Sequence, residues 1–423
     1  MGELGMMKMF PIRRVLLMII TIAGIVHSAA QTQAAVSLPT GQGPYQAAAY
    51  DLDGDGHKDL LVPCRGDLLM PDEKRPGNDI LTVYLTAGRV LPHVRRDFKI
   101  GFGPYTAVVG DLDGDGIPDA AAANFQANDG RHLSMLWGAK DRTIVFEPDA
   151  PITIKGAPFH YEKNYTLDSR PMYPTPGLTS VDIADFNRDG RPDMAAAAYS
   201  SDFFTILLNK GKRRFSQKNY ALLPGPRDIA TADYDGDGKL DLAFTIYSCN
   251  MIQVFRGNGK GGFSEWSRFH TQGHIPYHLK ACDLDRDGKI DIITGNRGVS
   301  DDAAVFRNTG SGFACIGQYV TDTVPIEEST TDEIRDVLLT DATGDEIPDL
   351  FAACRHSGKV IFWRGTGDMN YGKAFVRESI RMFAGDWPRA LVRLDETMAV
   401  VCYNSSDVKL VPISEWLGGA KPY

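Results

Sequence analysis

The sequence predicts an all-β protein, a seven-bladed β-propeller of four-stranded blades. Three observations carry that prediction. A nine-residue acidic motif recurs six times along the chain, short apolar runs bounded by Gly and Pro flank the copies, and a seventh unit without the motif ends the sequence. A length of 423 residues alone suggests about three domains. Repeats of roughly 50–70 residues, the scale of a four-stranded blade, instead build one closed unit.

The chain is 43% hydrophobic, 10% aromatic and 23% charged, a balance that excludes disordered and collagen-like classes. Its 54 acidic against 45 basic residues, a formal charge of −9, argue against a nucleic-acid binder, which normally carries a basic face. Residues 1–30 read as a signal peptide: Lys8, Arg13 and Arg14 precede an apolar run over 15–26, and Ser28-Ala29-Ala30 offers a cleavage site before Gln31. The run is shorter than the ~20 residues of a membrane-spanning helix, and no later segment is apolar enough to span a bilayer. Residues 31–423 are therefore expected to be a single propeller, secreted or periplasmic. Six cysteines (Cys64, Cys249, Cys282, Cys315, Cys354, Cys402) show no C-x-x-C spacing, so neither a disulfide framework nor a zinc site is indicated. They are expected mostly as small buried apolar residues.

The motif runs DLDGDGHKD (51–59), DLDGDGIPD (111–119), DFNRDGRPD (185–193), DYDGDGKLD (233–241) and DLDRDGKID (283–291), with a worn copy DATGDEIPD at 341–349. Oxygen-bearing side chains at positions one, three, five and nine, Gly at six and a main-chain carbonyl at seven match the ligand spacing of a tight calcium loop. The expected ligands are Asp51, Asp53, Asp55, His57 and Asp59; Asp111, Asp113, Asp115, Ile117 and Asp119; Asp185, Asn187, Asp189, Arg191 and Asp193; Asp233, Asp235, Asp237, Lys239 and Asp241; and Asp283, Asp285, Asp287, Lys289 and Asp291. His57, Ile117, Arg191, Lys239 and Lys289 enter through their carbonyls. The sixth loop (Asp341, Asp345, Asp349) has Thr343 for an acid and Glu346 where the turn wants positive φ. An EF-hand starts alike but needs Glu at position twelve and flanking helices. Here position twelve is Val62, Ala122, Ala196, Phe244, Thr294 and Ala352, and the flanks read as strands.

Each unit then runs strand, loop, strand, hairpin, the hairpins exemplified by 203–220 and 251–266. The seventh unit, 387–413, repeats three strands with the loop deleted at Asp395. Its fourth strand is expected from residues 36–41, because Ser37-Leu38-Pro39 before Gly43-Pro44 resembles Leu222-Leu223-Pro224 before Gly225-Pro226. That exchange closes the ring and removes free sheet edges.

These units resemble FG-GAP, or VCBS-type, repeats of the integrin α-like N-terminal β-propeller family, and the resemblance covers nearly all of residues 31–423. It implies calcium loops between the two innermost strands of a blade, on one face, with ligands taken on the other. About five ions are expected, one for each strong copy. Without metal, the carboxylates gathered in each loop repel one another, so bound calcium is expected to contribute to folding.

The opposite face lies six residues before the first loop Asp and six after the last. The pairs are Tyr45 with Arg65, Tyr105 with Phe125, Thr179 with Tyr199, Arg227 with Tyr247, Tyr277 with Arg297, Arg335 with Arg355, and Arg389 with Tyr403, all expected to be hairpin neighbours. Six of these positions are Arg, six are Tyr and none is acidic. An Arg/Tyr rim suits an anionic, partly planar ligand, Arg through its fork and Tyr through ring and hydroxyl; the same side chains equally suit packing between blades. Insertions at 66–79 and 150–176, with His160, Tyr161, Tyr165, Arg170 and Tyr173, are placed on that face. His274, His278 and His356 are expected on the same surface, and Arg65-Gly66-Asp67 spells a tripeptide that integrins recognise.

No nucleophile signature, Rossmann fingerprint or phosphate loop is present. The leading expectation is an exported, non-catalytic binding module for an acidic glycan or another anionic surface ligand. One alternative is a polysaccharide lyase or sugar dehydratase using Tyr45, Tyr105, Tyr277, His278 or His356. Another is a protein-interaction or adhesion scaffold on the same face.

Overall fold

A computed structural model describes residues 35–66, 79–86, 94–127, 129–140, 145–147, 151–156, 176–271, 275–297, 302–321, 332–383 and 386–417. The proposed signal peptide, His160, Tyr161, Tyr165, Arg170, Tyr173, His274 and Asp67 lie outside them. Seven antiparallel sheets follow one another along the chain as blades. The fourth shows the pattern: Pro226–Ala232, Asp241–Ile246, Met251–Gly257 and Phe263–His270, each paired with the next. The first strand of this blade packs against the first strands of both neighbours, so first strands line the axis.

Burial grades outward accordingly. In the first six blades the second strands, flanked by blades on both faces, are buried throughout, which is why Asp119–Asn124 and Asp193–Ala198 read as near-continuous Ala rather than alternating. Outer strands such as Phe215–Ala221 alternate half-buried and exposed residues. Every hydrophobic cluster is shared by two adjacent blades: Leu242, Phe244 and Ile246 pack on the third blade, while Ala243 of the same strand packs on the fifth. Among the described residues, all seven interfaces have such a cluster.

The N-terminal strand behaves as the sequence predicts. Val36–Pro39 pairs antiparallel with Asp407–Pro412, setting Leu38 opposite Val408 within the cluster between the last and first blades. Ser37 Oγ donates to the Asp407 carboxylate across the same ladder. The second blade is irregular. Pro104–Gly110, Asp119–Asn124 and Leu133–Leu136 form its ladder, and its fourth place is filled by single bridges from Phe146 to Gly138 and from Ile152 to Leu133. All six cysteines are free; Cys64, Cys354 and Cys402 are buried and the others half-buried.

Deleting residues 35–41 exposes the ladder edge of Asp407–Pro412 and is expected to lower Tm and cause concentration-dependent association in size-exclusion chromatography. Leu38→Ala alone should cost about 2–4 kcal/mol in denaturant unfolding. Wild-type behaviour of both variants would show that this strand does not hold the ring closed.

Candidate functional site

Six loops at one end of the molecule each join a blade's first and second strands, and their fold follows from their own carboxylates. In the first loop, Asp51 accepts the Gly54 and Gly56 N–H groups at 2.7 and 3.0 Å. Asp53 accepts the Asp55 N–H at 3.1 Å, and Asp55 accepts the His57 N–H at 2.8 Å. The bond from position six to position one recurs in all six loops. Position six is left-handed throughout, at φ 89° for Gly56 and 66° for Glu346, so the worn copy keeps the turn despite its side chain. The position-seven residues Ile117, Arg191, Lys239 and Lys289, like His57, donate their N–H to position five.

Position nine ties the loop to the blade. Asp59 is fully buried, and its two oxygens accept the Leu52 N–H of the loop at 2.8 Å and the Thr86 N–H after the third strand at 2.7 Å. Asp119, Asp193, Asp241, Asp291 and Asp349 make the same two bonds in their blades. Burial pushes the Asp59 carboxyl up to about 7, and those of Asp119, Asp193, Asp241 and Asp291 up to about 6, against the pull of their N–H donors.

Carboxylate oxygens converge within 4.8 Å in four of the loops: Asp51/Asp53/Asp59, Asp111/Asp113/Asp115, Asp233/Asp235/Asp241 and Asp283/Asp285/Asp291. This all-oxygen donor set fits a hard divalent cation. The third loop carries Asn187 and the sixth Thr343, and neither forms such a three-acid group among the described residues. Arginines pair with position three of three loops, Arg213 to Asp113 at 2.8 Å, Arg256 to Asp235 at 2.6 Å and Arg307 to Asp285 at 2.8 Å.

At the other end, one backbone bond identifies equivalent positions in every blade. The second residue of each sequence pair donates its N–H to a carbonyl two residues before the first: Arg65 to Gly43, Phe125 to Gly103, Tyr199 to Gly177, Tyr247 to Gly225, Arg297 to Ile275, Arg355 to Glu333 and Tyr403 to Trp387. The pair members are neighbours, Tyr105 and Phe125 lying 5.2 Å apart between ring centroids, but they are not ladder partners. The ladder pairs Pro226 with Ile246 and then Asp228 with Thr245, leaving Arg227 as the extra residue of a bulge. Tyr105, Thr179, Tyr277, Arg335 and Arg389 are skipped alike. A bulge bends its strand and re-aims the extra side chain, and these side chains meet across the axis.

They form a packed floor rather than an open rim. Arg227 donates to the hydroxyls of Tyr45 at 2.9 Å, Tyr105 at 3.1 Å and Tyr277, contributed by three other blades. Arg65 donates to Tyr105 at 2.7 Å, Arg389 to Tyr277 at 2.8 Å, and the Tyr45 and Tyr277 hydroxyls lie 2.6 Å apart. Arg389 lies 3.6 Å from the Tyr45 ring centroid and Arg227 3.7 Å from that of Tyr277, close enough for cation–π attraction. Arg65, Arg227, Arg335 and Arg389 are all at most 8% exposed. Half-buried Phe125, Tyr199, Tyr247, Arg297, Arg355 and Tyr403 surround this floor.

Charge on the floor is unbalanced. Glu333 pairs with Arg335, with Arg297 at 2.7 Å and with Arg355 at 3.2 Å, and these arginines hold its carboxyl below the usual range against burial. Arg65, Arg227 and Arg389 have no carboxylate partner among the described residues, and the buried Nε atoms of Arg65, Arg227 and Arg335 have no hydrogen-bond partner. Burial drives Arg389 down to about 9. For the Tyr105 phenol, burial acts upward, but Arg227 and Arg65 bring it below its ordinary value.

His278 is not on the surface, contrary to the sequence-based expectation. It is buried beneath the floor, 3.0 Å from Asp228 and 4.0 Å from Asp336, with Gln46 at 3.0 Å. His356 stays exposed, 3.3 Å from Glu333. Sequence reasoning missed Glu333, Trp387 and this buried tier. The signal for the first two is a substitution of pattern: the position occupied by Gly43, Gly103, Gly177 and Gly225 becomes Ile275, Glu333 and Trp387.

The model of the FG-GAP-like repeat matches residues 185–244 and 233–294, the units of the third and fourth acidic loops together with the following loop. The chain carries FG-GAP-like repeats. Integrin alpha-PS2 of Drosophila melanogaster is 29% identical over 175 residues, 37% of this chain, and the chain covers only 11% of that relative's length. The solved structure of BBS1N, in complex with ARL6DN, aligns with 90% of this chain and 98% of its own at TM-score 0.57 and 15% identity. The periplasmic gluconolactonase of Pseudomonas aeruginosa aligns with 80% of this chain and 87% of its own at TM-score 0.56 and 13% identity. Identities this low show a shared fold only. Among the described residues no helix is long and apolar enough to cross a membrane.

Folded-state pKa values of about 6–7 at position nine exceed the ~3.9 of an unfolded Asp. These carboxyls therefore favour folding while protonated, and that contribution is lost as pH rises from about 4 to about 7. In chelator, Tm is expected to fall across this window, and an added divalent cation should raise Tm more at about pH 7.5 than at about pH 5. Equal cation effects at both pH values would separate these carboxyls from the ion.

Proposed function

We propose that the protein is an exported, calcium-stabilised propeller that binds an anionic ligand, foremost an acidic glycan, non-catalytically on the face opposite its acidic loops. The observation that carries this reading is the uncompensated positive charge of the floor. Arg65, Arg227 and Arg389 are buried among tyrosine hydroxyls with no carboxylate partner among the described residues. A carboxylate or sulfate entering above them gains charge-assisted, fork-like hydrogen bonds, and tyrosine rings offer flat surfaces to the rest of the ligand. Calcium suits the loops because their oxygen donors lie on irregular loop backbone, which accommodates its flexible coordination better than the strict octahedron of magnesium. Its role is structural: each loop fastens the first two strands of its blade.

A second reading is favoured by Tyr105. Its hydroxyl accepts from both Arg65 and Arg227, which stabilises the phenolate and suits a general base that removes a proton beside a neutralised carboxylate. The gluconolactonase likeness supports only the point that this architecture can host sugar chemistry.

Retention on immobilised acidic polysaccharides, with mass spectrometry of the recovered polymer, tests both readings. Intact polymer should be retained in calcium and released by salt, and Arg65→Gln should weaken binding about ten- to a hundred-fold through loss of a charge-assisted bond. Shortened or dehydrated polymer, abolished by Tyr105→Phe, would establish the lyase or dehydratase instead. Failure to retain any polyanion would overturn the glycan reading. Chelation should lower Tm, with calcium restoring it at lower concentration than magnesium.

A further inference from the structure

Four blades use glycine at the left-handed position preceding the floor residue, and sterics explain why. A Cβ on Gly43 would lie 2.3 Å from the Gly66 carbonyl oxygen, and one on Gly177 or Gly225 would lie 2.4 Å from the hydroxyl of Ser200 or Ser248. In the last three blades the same position is Ile275, Glu333 and Trp387, at φ 56°, 48° and 54°. Positive φ is unfavourable for any residue with a Cβ and worst for a β-branched one, and Ile275 and Trp387 also precede prolines, which narrows their backbone further. Strain of this kind persists where surrounding structure over-determines it, and it clusters at functional sites. Three consecutive blades thus hold side chains on the ligand face where glycine would relieve the backbone.

In blades six and seven Glu333 and Trp387, with Arg355 and His356, build a ledge beside the floor. Half-buried Trp387 lies 4.6 Å from the Arg355 guanidinium and near-parallel to Tyr403, at 6.4 Å and 12°. His356 meets the indole edge-on at 6.0 Å. Glu333, buried beneath, anchors Arg355 at 3.2 Å and His356 at 3.3 Å. The indole Nε1–H has no hydrogen-bond partner among the described residues. The ledge therefore combines a fixed cation, an aromatic surface and a spare N–H donor with an imidazole at its exposed side.

We propose that Trp387, Arg355 and His356 form a subsite for one uronate residue of an acidic glycan. Arg355 takes the carboxylate, the indole supports the sugar ring and donates to a hydroxyl, and His356 contacts a further hydroxyl. The subsite rests on the anionic-ligand reading and adds to it a sugar class and a sector, blades six and seven. Glu333 is a positioning residue: it fixes Arg355 and His356 without facing the ligand.

Calorimetric titration with oligogalacturonate, and with its methyl ester of equal length, tests the subsite on the full protein in calcium. Wild type should bind the acid and lose at least tenfold affinity for the ester. Trp387→Gly adopts positive φ freely, so Tm should hold or rise while affinity for the acid falls at least tenfold. Ligand-induced change in tryptophan emission should disappear with it. Arg355→Gln, read by the same titration, provides a second test if Trp387→Gly proves unstable, and should erase the preference for acid over ester. Undiminished binding by both variants overturns the subsite, while the wider reading stands if Arg65→Gln still weakens polyanion retention. Wild type that binds sulfated polymer but no oligogalacturonate also overturns the uronate assignment alone. Wild type that retains no polyanion removes both.

Discussion

One carboxylate in each of six blades organises the loop end of this propeller. The position-nine Asp is buried, begins the second strand, and accepts one N–H from the loop before it and one from the chain leaving the third strand. Three segments distant in sequence are thereby fixed at a single side chain, where an unpaired buried N–H would cost about as much as a lost hydrogen bond. Because the arrangement holds even in the worn sixth copy, loop geometry depends first on this clamp. A cation held there would use oxygens that the clamp has already gathered. In the seventh blade the loop is gone, and a tight turn with Asp395 at φ 47° joins the strands instead.

The two ends obey different rules. At the loop end, acids face solvent and arginines such as Arg256 and Arg307 temper their repulsion. At the far end, bulges send Arg and Tyr inward, where hydroxyls satisfy guanidinium groups without neutralising them. Beneath lies a buried polar tier in which Asp228 accepts from Ser180 at 2.9 Å and from the Leu279 N–H at 3.1 Å; against burial, His278, Lys280 and the Leu279 bond hold its carboxyl down to about 2. Charges of opposite sign are therefore stacked along the axis, and the positive layer is the one nearest the end opposite the acidic loops.

Much of this was legible because repeats compare a protein with itself. Six spaced Asp motifs disclosed the loops, and the likeness of Ser37-Leu38-Pro39 to Leu222-Leu223-Pro224 disclosed the closing strand. The same spacing picked out Arg227, Tyr277 and Arg389 as a set, although it gave them the wrong geometry. Counting residues along a strand assumes an unbroken two-residue period, and one bulged residue shifts every side chain after it to the other face. Whether arginines point at solvent or at tyrosines across an axis depends on contacts between blades far apart in the chain, which no local pattern records. Trp387 and Glu333 are marked in the sequence only by the missing glycine of the other blades, and the meaning of that loss, a side chain held at positive φ, is conformational.

Ring closure also has a kinetic side. The Ser37–Asp407 hydrogen bond joins residues 370 positions apart, and every hydrophobic cluster needs two blades, the cluster between last and first included. At a synthesis rate of roughly 5–20 residues per second, the first strand waits for tens of seconds before its partner exists. Through that interval the first blade keeps one apolar face uncovered. The architecture that leaves no blade face uncovered in the finished ring therefore makes the nascent chain dependent on something else, a chaperone or delayed folding, to shield that face.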